Sequence, residues 1–327
     1  MKILFISYTN IGDVVMSTAL LGRVLADYPD AKVDVIVGGL GAELFADLPQ
    51  LGRILTIKKR KHHRHYLDLR RELAREHYDI LIDLRTPFFK FFVSHDRAIT
   101  FPKHLQAKYA AKVEQLGSLW PSARKLEQKV WIEPRVMEVV QEKVAKIKRP
   151  LVVVGPTANW AGKQWPQKNF KELIEKLSQH DTYKNATFLL LGAPNERKDI
   201  EDLIAVVPAA QSLDLVGKTT ISESYAWLKM ADVFVGHDSG LSHLAAAAGT
   251  PSITLFGPMN DKIYAPWSDV NHVVVPPMRT WREVNLPKKK YLPRVISDIT
   301  VETVLNCFVR QDIQPHNNKT EKPHVAG

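Results

Sequence analysis

The apolar positions of this chain switch repeatedly between two periods. Residues 2–7 form a short apolar run that ends in a polar turn, and from Asp13 to Tyr28 apolar residues recur at helical spacing, which predicts strand, loop and helix in that order. Further strands are predicted at Lys32–Val37, Arg53–Ile57, Tyr78–Leu84 and Arg97–Phe101, with helices over 66–77 and 103–117. After Arg149-Pro150 the pattern restarts. Leu151–Gly155 reads as a second opening strand, followed by helix 167–179, strand 186–191, helices 196–206 and 221–231, strand 232–235, helix 239–248 and strand 252–255. Strands alternating with helices imply mostly parallel sheets covered on both faces. Two such series predict two doubly wound α/β domains, residues 1–149 and 150–311, with the end helix over 300–311 available to pack back on the first domain. Residues 312–327 are polar, carry Pro, Asn and Lys, and read as a disordered tail. Ligands of such folds bind beyond the carboxyl ends of the strands, which directs attention to the loops after residues 7, 155, 192 and 235.

Composition changes this picture in two ways. A single cysteine, Cys307, excludes an intramolecular disulfide framework and a cysteine-based zinc cluster. With no signal-peptide pattern at MKILFISYTN and no apolar run near the roughly 20 residues of a spanning helix, a cytoplasmic protein is expected. The formal net charge of +10 favours an anionic partner, and the excess is concentrated. Lys58, Lys59, Arg60, Lys61, Arg64, Arg70 and Arg71 fall in one stretch and Lys288, Lys289 and Lys290 in another. No recognition helix, RNA-binding sheet motif or zinc finger accompanies the charge, so a nucleic-acid partner is not expected.

Three loops carry candidate chemistry. The first is HDSGLSHLAAAAGTP, residues 237–251, after a strand. Asp238 or Ser239 is placed to cap the next helix, whose first N–H groups form an anion site. Gly240 leaves its own N–H open to close approach, and His243 lies one turn after Ser239. An ordinary capped helix with a small-residue face accounts for the alanines and the cap, but not for Ser, Gly and His in one turn. The second loop is GPTANWAGKQWP, residues 155–166, where Thr157 and Lys163 offer a hydroxyl donor and a compact point charge to a diphosphate. It is not a P-loop: six residues separate Gly155 from Gly162 and Gln164 occupies the Ser/Thr position. Gly39-Leu40-Gly41 follows the second predicted strand rather than the first and lacks a third glycine, which argues against a dehydrogenase. The third loop is SYTNIGDVVMSTAL, residues 7–20, where Asp13 is either a helix cap or a general base facing the phosphate site. No Asp-x-Asp pair is present to clamp a diphosphate through a divalent ion, so no metal ligand is expected, while magnesium assistance stays open.

Together NIGDVVMSTAL, GKQWP, GAPNE (192–196) and GHDSGLSHLAAAAGTP followed by LFGP resemble the family 9 glycosyltransferases, the bacterial heptosyltransferases of lipopolysaccharide core synthesis. The resemblance runs from residue 2 to about residue 310. It implies a GT-B architecture of two Rossmann-like domains facing across a cleft, with acceptor on the first and donor on the second. It implies ADP-L-glycero-β-D-manno-heptose as donor, a lipopolysaccharide core acceptor (Kdo-lipid A or a heptosylated core) and inversion at the anomeric carbon. By the same resemblance Asp13 matches the catalytic base and Lys163 the diphosphate-binding lysine. Asp238, Ser239, Gly240, Leu241 and His243 match the donor loop, Glu196 a ribose-binding acid, and Thr219 a position near the adenine. Arg60, Lys61 and Arg64 fall where the family receives its acidic acceptor. The same charges are suited to holding the enzyme peripherally at an anionic inner-membrane surface. The stretch KKRKHHRHYLDLRR is richer in His than the family pattern, and residues 270–297 match it poorly.

Overall fold

The computed structural model describes residues 1–57, 64–85, 88–102, 105, 111–277 and 294–309. The first half builds a five-stranded sheet from β1 (Lys2–Ile6), β2 (Lys32–Gly38), β3 (Leu51–Ile57), β4 (His77–Asp83) and β5 (Ser94–Thr100), in the order β3-β2-β1-β4-β5. The second half builds a six-stranded sheet from β6 (Leu151–Gly155), β7 (Thr187–Leu190), β8 (Ser212–Asp214), β9 (Val233–His237), β10 (Ser252–Leu255) and β11 (Asn271–Val274), in the order β11-β10-β9-β6-β7-β8. Every neighbouring pair is parallel. Both orders reverse direction at a central crevice, beside β1/β4 in one sheet and β6/β9 in the other, the place where doubly wound sheets bind ligands.

The helices are α1 (Ile11–Asp27), α2 (Arg64–Leu73), α3 (Lys112–Gly117), α4 (Pro134–Val144), α5 (Gln167–Gln179), α6 (Glu201–Val206), α7 (Ile221–Met230), α8 (Gly240–Ala248) and α9 (Val301–Val309). Single turns lie at Asp261–Tyr264 and Arg294–Ser297.

Strand alternation sorts the core into layers. Ile3 and Phe5 of β1 face the same cluster as Leu151 and Val153 of β6, and α1, α7 and α8 fill it, so one apolar core joins the two halves. Leu4 and Ile6 point the other way, into a cluster shared with Leu69 and Leu73 of α2 and with Phe89. Val152 and Val154 likewise face outward, onto Trp165, Phe170, Leu173 and Leu177.

Several boundaries differ from the expectation. The helix predicted over 66–77 ends at Leu73, and β4 begins at His77. Residues 196–206 open as a 3-10 turn at Pro194–Ile200 and become α-helical only at Glu201. Among the described residues the end helix packs on the second half. Val304 and Phe308 of α9 bury in the outer cluster of the second half, where the Tyr183 hydroxyl donates to the Phe308 carbonyl at 3.4 Å. The reverse crossing comes from α4, which packs against α7 of the second half and buries Val140 and Val144 in the joint core. Residues 312–327 lie outside the described residues.

Candidate active site

The second half contributes the turn between β9 and α8. His237 ends β9 fully buried, and its Nε2 accepts the Trp165 backbone N–H at 2.7 Å while its ring meets Phe170 edge-on. Burial pulls its pKa down to about 4, against a smaller raising effect of the Thr157 backbone and with help from the Lys163 charge. The ring is therefore neutral near pH 7 and acts as a structural acceptor.

Asp238 follows, buried, and takes Lys163 on its Oδ2 at 2.5 Å and on its carbonyl at 3.2 Å. Sequence reasoning placed these two residues separately; the structure brings them together as an ion pair. Ser239 stands at the N-cap of α8 in extended backbone, yet its Oγ makes no cap bond. Instead Ser242 Oγ receives the Ser239 N–H at 3.3 Å and donates to the Ser239 carbonyl at 2.8 Å. The Ser239 hydroxyl is buried with no hydrogen-bond partner among the described residues, and the same holds for Nδ1 of His243. His243 is buried with its Nε2 4.0 Å from Asp238 Oδ1. Burial lowers its pKa, opposed by the carboxylates of Asp238 and Asp13. An orphaned buried hydroxyl and an orphaned imidazole nitrogen at a helix N-terminus are the groups an oxyanion would satisfy.

The first half meets this turn with the start of α1. A methyl added to Gly12 would lie 2.6 Å from Cδ2 of His243, and one added to Gly240 would lie 3.0 Å from Cβ of Ile11. Glycine at both positions lets the two helix starts touch. At Gly240 it is Ile11 that fills the space a side chain would need. Asp13 is the third residue of α1, half-buried, and accepts a 3.1 Å bond from Asn10 Nδ2. It does not cap the helix.

Around Asp13 stand three residues that the sequence did not single out. Tyr8 has a buried hydroxyl without a partner among the described residues, and burial, then Asp13, raises its pKa. Lys112 lays its ammonium 3.5 Å from the Phe101 ring centroid and 5.7 Å from that of Tyr8. Burial lowers the Lys112 pKa while Asp13 raises it, and Tyr264 is pushed up by burial and then by Asp13 and Asp238. Tyr8 sits inside the SYTN loop, so its neighbourhood was a signal; Lys112 and Tyr264 had none.

Thr157 and Glu196 lie in the loops after β6 and β7. Thr157 is buried and its Oγ1 donates to Glu196 Oε2 at 2.7 Å, which also accepts the Ala193 N–H at 2.9 Å. That bond commits the Thr157 proton to Glu196 and fixes the carboxylate in place. Thr219 Oγ1 is 2.9 Å from Ser224 Oγ, whose own proton goes to the Thr220 carbonyl, so Thr219 is the donor of that pair. Leu241 packs over Gly155 at the end of β6. Arg60 and Lys61 lie outside the described residues, as does the side chain of Arg64, which opens α2. Among the described residues no group of three or more His, Cys, Asp or Glu is placed to hold a metal ion, and no helix is long and apolar enough to cross a membrane.

The comparisons with known proteins point the same way. The chain is 25% identical over 297 residues to lipopolysaccharide heptosyltransferase 3 of Escherichia coli, covering 79% of this chain and 84% of that protein. Its fold is similar to that of E. coli ADP-heptose lps heptosyltransferase II, with a TM-score of 0.74 at 21% identity over 94% of this chain and 98% of that one. It is similar also to E. coli heptosyltransferase WaaC solved with ADP, with a TM-score of 0.71 at 19% identity over 95% and 100% of the two chains. These likenesses fit two Rossmann-like sheets in a GT-B arrangement. Residues 103–291 match the model of glycosyltransferase family 9 (heptosyltransferase), and the chain belongs to that family of glycosyltransferases.

Proposed function

We propose that this enzyme transfers L-glycero-D-manno-heptose from ADP-heptose to the inner core of lipopolysaccharide, with inversion. The observation that carries the reading is the contact of the two helix starts. It brings the half-buried carboxylate of Asp13 within electrostatic reach of His243, beside the unpartnered Ser239 hydroxyl and the His243 nitrogen. One side supplies a base and the other an oxyanion cradle. The names of the similar heptosyltransferases support the choice of donor and core acceptor.

In this reading residues 1–149 carry the acceptor and residues 150–311 the donor. Asp13 removes the proton from an acceptor hydroxyl, whose oxygen forms the new bond to the anomeric carbon. The bond from that carbon to the diphosphate breaks, and ADP leaves from the opposite face. Lys163, the N–H groups at the start of α8, Ser239 and His243 meet the charge that develops on the diphosphate, with no metal required. Each exposed helix-end contact contributes only about 0.3–1 kcal/mol, so several must act together. Glu196, held by Thr157, receives the ribose, and Thr219 lies toward the adenine. Arg60, Lys61 and Arg64 grip acidic groups of the core, and the same charged face rests on the anionic membrane surface. Nucleic acid has no part in this reading.

Product analysis tests it. Incubation with ADP-heptose and truncated cores should give ADP and a heptosylated core of inverted anomeric configuration. Transfer from UDP- or GDP-sugars but not from ADP-heptose would replace the donor assignment.

A further inference from the structure

The connection from β4 to β5 is unusual for a parallel pair, and neither the fold nor the reaction explains its outer surface. His77 pairs with Ser94 and Asp83 with Thr100, so the ten residues between the strands must run the whole length of the sheet. Among the described residues no long helix makes the return. A 3-10 turn, Phe89–Phe91, does so over the outer face of the first sheet, opposite the face that meets the second half. Phe89 anchors the turn, fully buried against Leu4, Leu73 and Val93, and Phe92 packs beside it at 5.1 Å between ring centroids. Phe88 and Phe91 point outward, 60% and 75% exposed, the only two exposed phenylalanines among the described residues. Lys90 lies between them with its ammonium 5.1 Å from the Phe91 ring centroid.

The same face carries α2, whose Leu69 and Leu73 share the cluster with Phe89. Arg70, Arg71 and Arg75 on and just beyond that helix are exposed, against exposed Asp68 and Glu72. Two outward aromatic side chains with a lysine between them, on a basic face, match what a lipid–water interface accepts: apolar rings entering the headgroup boundary and cations on its anionic surface.

We propose that the Phe88–Phe91 turn is a membrane-docking element, which seats the outer face of the first half on an anionic phospholipid bilayer. The inference rests on the reading of a lipid-borne acceptor. It adds a named insertion point to what charge alone suggested. Docking by this face leaves the crevice between the halves lateral to the bilayer, open to an acceptor whose lipid end remains embedded.

The test uses the full chain and phospholipid vesicles without any acceptor, so it does not depend on the transfer reaction. The protein should co-sediment with phosphatidylethanolamine–phosphatidylglycerol vesicles and far less with phosphatidylcholine alone. Phe88→Ser/Phe91→Ser should weaken that binding at least about tenfold, because two rings no longer leave water. The same variant should bind ADP and use a delipidated, water-soluble core acceptor as the parent does. A polarity-sensitive fluorophore on Phe91→Cys, with the native Cys307 buried, should shift to the blue on mixing with anionic vesicles. Vesicle binding equal in parent and double variant, or a label that stays in water, overturns the proposal. So does a parent that ignores anionic vesicles. A double variant that loses self-association while vesicle binding is unchanged would make this face a contact between copies instead. Loss of transfer from ADP-heptose with docking intact would strike the proposed function and leave the docking element standing.

Discussion

Two strand-to-helix turns face each other across the crevice, one after β1 and one after β9, and they treat their polar groups in opposite ways. In the β9–α8 turn nearly everything is buried and tied down. His237 accepts from Trp165, Asp238 holds Lys163, and Ser242 closes on Ser239. The Ser239 hydroxyl and one nitrogen each of His237 and His243 are left without partners among the described residues. In the β1–α1 turn Asp13 stays half-buried and accepts a bond from the Asn10 amide. A fixed cradle suits a group whose charge rises during reaction, since dipoles already in place need no reorganisation. A base must instead remain reachable by an incoming hydroxyl.

The contrast breaks most sharply at Asp13. Asp13→Asn keeps the size of the side chain and its bond to Asn10 but removes the base, so turnover should fall by about 10²–10⁴. ADP affinity, read by calorimetry, should barely move, because the cradle belongs to the other turn. Near-normal turnover in this variant would leave Asp13 with no chemical role.

Lys163 sharpens the comparison from the other side, because it is both a support of the turn and a candidate ligand for the diphosphate. Lys163→Ala leaves the buried Asp238 carboxylate without its cation and should lower folding stability by about 3 kcal/mol. The two roles separate in the double variant Lys163→Met/Asp238→Asn, which removes both charges. Its stability in urea should return most of the way, while ADP binding stays at least about tenfold weaker. If ADP binding returns together with stability, Lys163 is a structural ion-pair partner only.

The two turns were also unequally legible. HDSG and NIGD could be read because each lies at the end of an apolar run and opens a helical pattern, so strand, turn and helix N-terminus are local facts. The pairing of Lys163 with Asp238, 75 residues apart, is not local, and neither is the fit of His243 against Gly12. Gly240 shows the limit well: the residue type was informative, but which neighbour required it depended on where α1 came to lie. Thr157 shows the same, since only the fold reveals that its proton goes to Glu196. Among the elements, β8 and β11 were missed because three- and four-residue edge strands with polar ends carry too little alternation. α4 was missed although Pro134 at its start is a helix-opening signal. The partner of α9 could not be read either, because an apolar stripe such as Val304 and Phe308 states that a face is buried, not against what.

The burial that makes the β9–α8 turn rigid should also make it sensitive to acid. His237 is fully enclosed and its folded pKa lies at about 4, whereas a histidine in the unfolded chain titrates near about 6.5. Above 6.5 neither state holds the proton and the stabilisation is whole. As pH falls from about 6.5 towards about 4, the unfolded chain takes up a proton that the folded chain still refuses, so stability declines through that window. By pH 5 the loss attributable to this one ring should reach about 2 kcal/mol. His237→Gln removes the titration while its amide oxygen can still accept the Trp165 N–H. Urea unfolding of both proteins at pH 7 and pH 5 isolates the effect as a difference of differences. The parent should lose about 2 kcal/mol more than the variant over this interval, with His243 and every other shared group cancelling. Equal losses in the two proteins would mean that His237 gains its proton without disturbing the turn, and that the cradle is looser than its buried contacts imply.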